Sequence, residues 1–207
     1  MRRNSLVKFN RIQIQTPVGK IFSRLGYNKH LTEIDEKTRL NIFDKINDAK
    51  DICAPSACFY RTGIKTVFQD TVIIESGCEI KSVKIAELLK QSSEIIFFAG
   101  FVGKKIIEKI NEVLKIEKGS VAVVYDAAAS EIADSIMDWL ETYFKSELKR
   151  EGLKITDRRF SPGYGDFKIE YQKFFFDILQ LSDSGIELTP EYMLVPEKTV
   201  TALCGIF

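Results

Sequence analysis

The sequence predicts a mixed helix and strand fold, on three observations. Between Ala57 and Lys81, β-branched runs such as Val67-Phe68 and Thr71-Val72-Ile73-Ile74 are punctuated by Gly63 and Gly77, the pattern of a small antiparallel sheet. Ile95 to Val102 is the longest uninterrupted apolar stretch and reads as a buried strand. Several other stretches place apolar residues at helical spacing.

In chain order, Arg11 to Gln15 alternates polar and apolar residues as a half-buried strand does. Thr16 and Pro17 then supply a helix cap and a first-turn proline for a short helix to about Leu25. Asp35 to Asp51 carries Leu40, Phe43, Ile46 and, just beyond, Ile52, with acidic residues at its start, which predicts an amphipathic helix stopped by Pro55. Ser82 caps a helix through Leu89, and the buried strand spans Ser93 to Phe101. A helix from Gly103 follows, with Ile106, Ile107, Ile110, Val113 and Leu114 on one face and an end near Gly119.

Ser120 to Tyr125 admits two readings. Its composition suits a strand, while the alanine-rich Ala127 to Ala133 after it suits a helix. As a strand it would make 93–150 a parallel α/β unit and a nucleotide fold; as a helix it would begin one long helix to about Lys149. Lys168 to Leu181 is helical by pattern, with Tyr171, Phe174, Phe175 and Ile178 inward. Glu191 to Val195 and Thr199 to Cys204 read as a closing hairpin around Pro196-Glu197-Lys198.

The chain has 207 residues, enough for one sizeable core, and a single domain over 1–207 is expected. Thirty basic residues against twenty-nine acidic ones leave no global field to recruit nucleic acid or an anionic membrane, so neither is expected as a partner. The apolar run is far below a membrane span and Met1 to Lys8 has no apolar region after its basic start, so a cytoplasmic protein is expected. Cys53, Cys58, Cys78 and Cys204 lack metal-site spacing and read as reduced structural thiols. His30, the sole histidine, reads as a solvated loop residue, and no metal is expected.

The segment that looks built for a ligand is Arg158-Arg159-Phe160-Ser161-Pro162-Gly163-Tyr164-Gly165-Asp166. Arginine offers a planar fork that matches a carboxylate or phosphate, and glycines beside Tyr164 let backbone come close to a bound molecule. Together with Leu188 to Val200, Tyr125 to Glu131 and Phe22 to Tyr27, this string closely resembles the S-adenosylmethionine-binding activation domain of cobalamin-dependent methionine synthase and its short, free-standing relatives. The resemblance covers most of the chain.

It implies an α+β fold, a single C-shaped domain whose bent antiparallel sheet is flanked by helices, and it favours the helical reading of 120–125. It also implies S-adenosylmethionine as ligand, cobalamin carried by a partner corrinoid protein or methionine synthase, and a flavodoxin-like or other electron donor. In that scheme the module supports reductive methylation of cob(II)alamin and needs no catalytic residue of its own.

Carried onto this sequence, Arg159 would pair with the ligand carboxylate, and Arg158 would point elsewhere. Gly163 and Gly165 would bring backbone near the ligand, and Tyr164 would lie against the adenosine or the sulfonium. Asp138 matches the family's helix carboxylate for the ammonium, although helical geometry sets it opposite the face of Ala133, Ile136, Met137, Leu140 and Phe144. Cys204 and Gly205 fall where the family contacts the ligand, but with aromatics in their place.

Two other readings stand beside this one. A nucleotide-dependent α/β enzyme would use Ala99-Gly100-Phe101-Val102-Gly103-Lys104-Lys105, which lacks the spacing of a phosphate loop. A ligand-free adaptor would explain the change to Cys204 and Gly205.

Overall fold

Residues Glu94 to Phe101 form the central strand and every one of them is buried, as an apolar run without alternation requires. In the computed structural model, which describes residues 1–27, 32–116 and 118–207, this strand is β5. Before it come β1 (Leu6–Phe9), α1 (Val18–Arg24), α2 (Glu36–Ile52), β2 (Ser56–Val67), β3 (Thr71–Ile74), β4 (Glu79–Lys81) and α3 (Val83–Leu89). After it come α4 (Lys105–Lys115), α5 (Gly119–Lys149), α6 (Gln172–Ile178), β6 (Glu187–Leu188), β7 (Leu194–Val195) and β8 (Thr199–Ile206), with single 3-10 turns at Ile169–Tyr171 and Leu181–Ser184.

The sheet order is β4-β3-β2-β5-β8, antiparallel throughout. The twelve-residue β2 holds β1 against its first half and β3 against its second, with a register break between Ile64 and Thr66. That irregularity lets one strand serve both parts of a bent sheet. The fold is α+β.

Alternation along β5 assigns its side chains to two cores. Ile96 and Phe98 join Phe59, Ala202 and Cys204 beneath α5 and α2, whereas Ile95, Phe97 and Ala99 join Leu203, Leu89 and Phe175 beneath α3 and α6. The alanines of α5 let it approach the sheet closely. At Gly100 of β5 an added Cβ would lie 2.7 Å from Ile136 Cγ2 and 3.0 Å from Met137 Sδ, both on α5.

Ser120 to Tyr125 is helical, the first turns of the 31-residue α5. With β5 antiparallel to both neighbours, the parallel unit and the phosphate-loop reading have no basis. Arg11 to Gln15 is not a strand: Arg11 takes φ 55°, which interrupts extended backbone, and β1 pairs with β2 instead. Pro17 is the N-cap of α1 rather than its first residue, and no side chain caps that end.

The helix predicted at Asp35 is correct in place, and Asp35 accepts from Thr38 N at 2.9 Å, but its buried stripe is Ile42, Ile46 and Ala49. Leu40 and Phe43 are exposed, as is Leu114 of α4. The predicted closing hairpin is absent, because β7 pairs with β6 and β8 with β5. Local composition shows that a segment prefers to be extended and says nothing about which strand receives it. The helical stretch predicted over 168–181 is shorter, a 3-10 turn followed by α6, and Phe175 is its fully buried aromatic while Tyr171, Phe174 and Ile178 are partly covered. His30 lies outside the described residues. Among the described residues no helix is long and apolar enough to cross a membrane.

Gly100→Ala should destabilise the protein by about 1–3 kcal/mol, the cost of overpacking a filled interface. Urea unfolding of the two proteins checks this, with a shift in midpoint and an unchanged slope as the expected outcome.

Candidate functional site

β8 is an edge strand, and the chain after α5 covers only part of its open side. Thr156 N donates to Gly205 O at 3.0 Å, and Phe160 and Leu203 exchange backbone bonds of 3.0 and 2.8 Å. Beyond Phe160 the chain turns away at Ser161-Pro162, where proline has no N–H to continue the ladder. The Thr199 to Thr201 end of β8 is left beside a groove.

One half of that groove, about 420 Å³, is lined by Lys84, Asp134, Arg159, Phe160, Ser161, Tyr164, Gly165 and Val200. The other half, about 350 Å³, shares Asp134, Ser161, Tyr164 and Val200 and continues to Ile169, Gln172, Tyr192, Leu194, Glu197 and Thr201. A larger hollow of about 980 Å³ lies between α1 and α2, but the described residues of its wall belong to those two helices and the chain next to them. The groove at β8 instead gathers charged groups from α3, α5 and the turn at 159–165, and convergence of distant groups is the mark of a binding site.

The turn is held by its own bonds. Gly163 N donates to Phe167 O at 2.7 Å and Phe167 N to Tyr164 O at 3.1 Å, with Gly163 at φ 91° and Gly165 at φ 60°. Asp166 fastens it to α3, accepting from Ser82 Oγ at 2.7 Å and Val83 N at 2.6 Å, while Ser82 accepts from Ile85 N. The Ser82 bond leads the effects that hold the Asp166 carboxyl below its ordinary range. Tyr164 then stands with 69% of its surface exposed, its ring free to cover a ligand. A Cβ on Gly165 would come within 2.8 Å of Lys84 Nζ, so the glycine admits that ammonium to the groove.

Arg159 is clamped at one corner. Its Nη1 donates to Asp138 Oδ1 at 2.9 Å and to Glu141 Oε1 at 2.7 Å, and among the described residues Nη2 and Nε have no acceptor. Asp138 also accepts from Lys20 at 3.2 Å. Burial works to raise the Asp138 carboxyl, but the bonds from Arg159 and Lys20 outweigh it and hold it low. Asp138, matched by the resemblance to the carboxylate that holds the ligand's ammonium, is instead paired with Arg159 and does not line the groove.

The carboxylate that does line both halves is Asp134, one turn earlier on α5. Arg24 reaches it at 3.5 Å while donating to Glu131 at 2.6 Å. Desolvation, then the neighbouring Glu131, raises the Asp134 carboxyl above its ordinary value. Asp134, Lys84, Gln172 and Thr201 are among the groove residues that sequence reasoning missed. A signal existed for Asp134, since Glu131, Asp134, Asp138 and Glu141 recur at helical spacing and form one acidic stripe.

The remaining motif positions lie apart. Gly163 packs against Ile169, its N–H engaged within the turn. Arg158 is exposed and outside the groove lining. Cys204 is fully buried in the core under α5, with its thiol pushed far up by desolvation. Gly205 gives both backbone groups to Thr156 and faces Ser92 and Leu89. Neither lines the groove. Desolvation likewise pushes the Cys53 and Cys58 thiols up to about 12, and no cluster of metal-binding side chains occurs among the described residues.

Asp166→Ala should cost about 1 kcal/mol by removing the tie to α3. Because its carboxyl is depressed in the fold, this contribution is fully present above the unfolded value of about 4 and is lost as pH falls through the folded value. Thermal unfolding of both proteins should therefore differ at neutral pH and converge in acid.

No family model matches the chain, and no curated protein does. Among solved structures it is similar to the crystal structure of the MetH reactivation domain bound to AdoHcy, with a TM-score of 0.70 and 16% identity over 98% of this chain and 78% of that one. Groove, bent sheet and long helix thus belong to a chain that shares the fold of the MetH reactivation domain.

Proposed function

We propose that the groove beside β8 binds S-adenosylmethionine and that the protein presents it to a separate corrinoid protein or cobalamin-dependent methionine synthase for reductive methylation of cob(II)alamin. The observation that carries this reading is the pairing of opposite charges across the groove, Arg159 and Lys84 against Asp134, in a fold whose solved neighbour holds AdoHcy. The methionine end of the ligand is a zwitterion and needs both signs within a few ångströms. Arg159, with Nη2 and Nε unused, and Lys84 take the carboxylate. Asp134 takes the ammonium, and the Tyr164 ring covers the sulfonium by a cation–π contact.

The chain's own residues bind and orient, and the redox chemistry belongs to the partner's cobalamin. When the methyl group leaves, the bonding electrons stay on sulfur and S-adenosylhomocysteine remains in the groove. The additional electron comes from a flavodoxin-like or other donor. A cytoplasmic setting suits such partners.

One observation favours the second reading, an adaptor that docks on the corrinoid protein without ligand: Arg159 is already neutralised by Asp138 and Glu141. Its original motive is weaker, since Cys204 and Gly205 stand outside the groove.

Calorimetry with S-adenosylmethionine separates the two. Arg159→Ala should abolish measurable binding, a loss of about 2–5 kcal/mol for truncating one side of a charge pair. Unchanged affinity would sink the site, and capture of a corrinoid protein by wild type that ignores millimolar S-adenosylmethionine would establish the adaptor. Acid should weaken binding from a pH above the ordinary carboxylate value of about 4, because protonating Asp134 removes the ammonium's partner. Asp134→Asn should bind more weakly and lose that dependence. Conversion of cob(II)alamin to methylcobalamin with candidate partners and a reductant tests the role itself.

A further inference from the structure

The half of the groove away from Arg159 contains a polar group that the charges at the other end do not explain. Gln172 opens α6 and is 5% exposed, with Oε1 accepting from Thr201 Oγ1 at 3.0 Å. Its Nε2 is buried and has no hydrogen-bond partner among the described residues. Gln172 and Thr201 are both among the residues that line the groove, so this unmet amide sits on a groove-lining side chain. It does not cap its helix, whose N-cap is Tyr171 with no side-chain bond. A buried donor left unmet is costly, and the fold tolerates this one where a ligand can meet it.

We propose that Gln172 holds the adenosine half of the ligand, donating from Nε2 to an acceptor there, with Thr201 fixing the amide in that orientation. This rests on the reading of the groove as an S-adenosylmethionine site. Placement follows from the two halves. Arg159 and Lys84 line one, and the zwitterion goes there; Gln172 lines the other with Pro162, Ile169, Tyr192, Met193 and Leu194, a mostly apolar wall suited to a flat base. Chemistry agrees, because the adenine ring nitrogens carry no hydrogen and require donors. An amide held at its oxygen by a hydroxyl offers one in a fixed direction.

The test is calorimetry with S-adenosylhomocysteine and with 5′-methylthioadenosine, which keeps the adenosine and lacks the amino acid. Gln172→Leu should weaken both about tenfold, the effect of one lost hydrogen bond. Gln172→Glu keeps the acceptor for Thr201 and the side-chain volume while replacing the donor, and should lose as much; circular dichroism and melting confirm that each variant folds. Arg159→Ala should weaken S-adenosylhomocysteine and leave methylthioadenosine unchanged. If wild type binds neither compound, the proposed function fails. If it binds S-adenosylhomocysteine but not methylthioadenosine, the assignment of Gln172 is overturned. Folded Gln172 variants that bind both as wild type does, or that lose only S-adenosylhomocysteine, overturn it equally.

Discussion

The close contact between α5 and the central strand is the constraint on which the rest of the structure depends. Gly100 gives up a side chain so that Ile136 and Met137 reach the sheet, and the alanines from Ala127 to Ala133 flatten the helix surface that meets it. Packing at interior density leaves no slack for a methyl group there. The opposite face of α5 is thereby set at a fixed height beside β8, and that face carries Asp134 and the carboxylates that clamp Arg159. A shift of the helix would move Asp134 and the clamp on Arg159 together.

Sheet pairing determines where the groove lies. The segment from Ile155 to Phe160 covers the end of β8 nearest Ile206 and then leaves at Pro162, so the Thr199 end stays open. The same geometry explains why two motif positions lie apart from the groove. Cys204 points into the core and Gly205 is paired with Thr156, because both sit on the covered stretch. Lys198 bridging to Asp126 of α5 at 2.7 Å ties down the loop at the other end.

Electrostatics follow from a single stripe. Glu131, Asp134, Asp138 and Glu141 share one side of α5, and Arg24, Lys20 and Arg159 are set along it from two distant segments. The more exposed of these pairs, such as Lys20 with Asp138, contribute little stability individually. Their effect is positional: Arg159 is held through Nη1 by two carboxylates, and Asp134 is crowded enough to keep its carboxyl raised.

By itself the sequence determined the elements with strong local signals. The unbroken apolar β5, the strands between Ala57 and Lys81 and the Ser82-capped helix follow from periodicity and caps within a few residues. The turn at Arg159 to Asp166 was legible from its glycines and proline, and the long helix from its alanines once the resemblance favoured it. Tertiary structure alone decided which strand β8 would join, which face of α2 would be buried, and that Asp134 rather than Asp138 would line the groove. Those outcomes depend on contacts between segments far apart in the chain. A local pattern fixes which residues share a helix face, but only the neighbour packed against that helix decides which of them a ligand can reach.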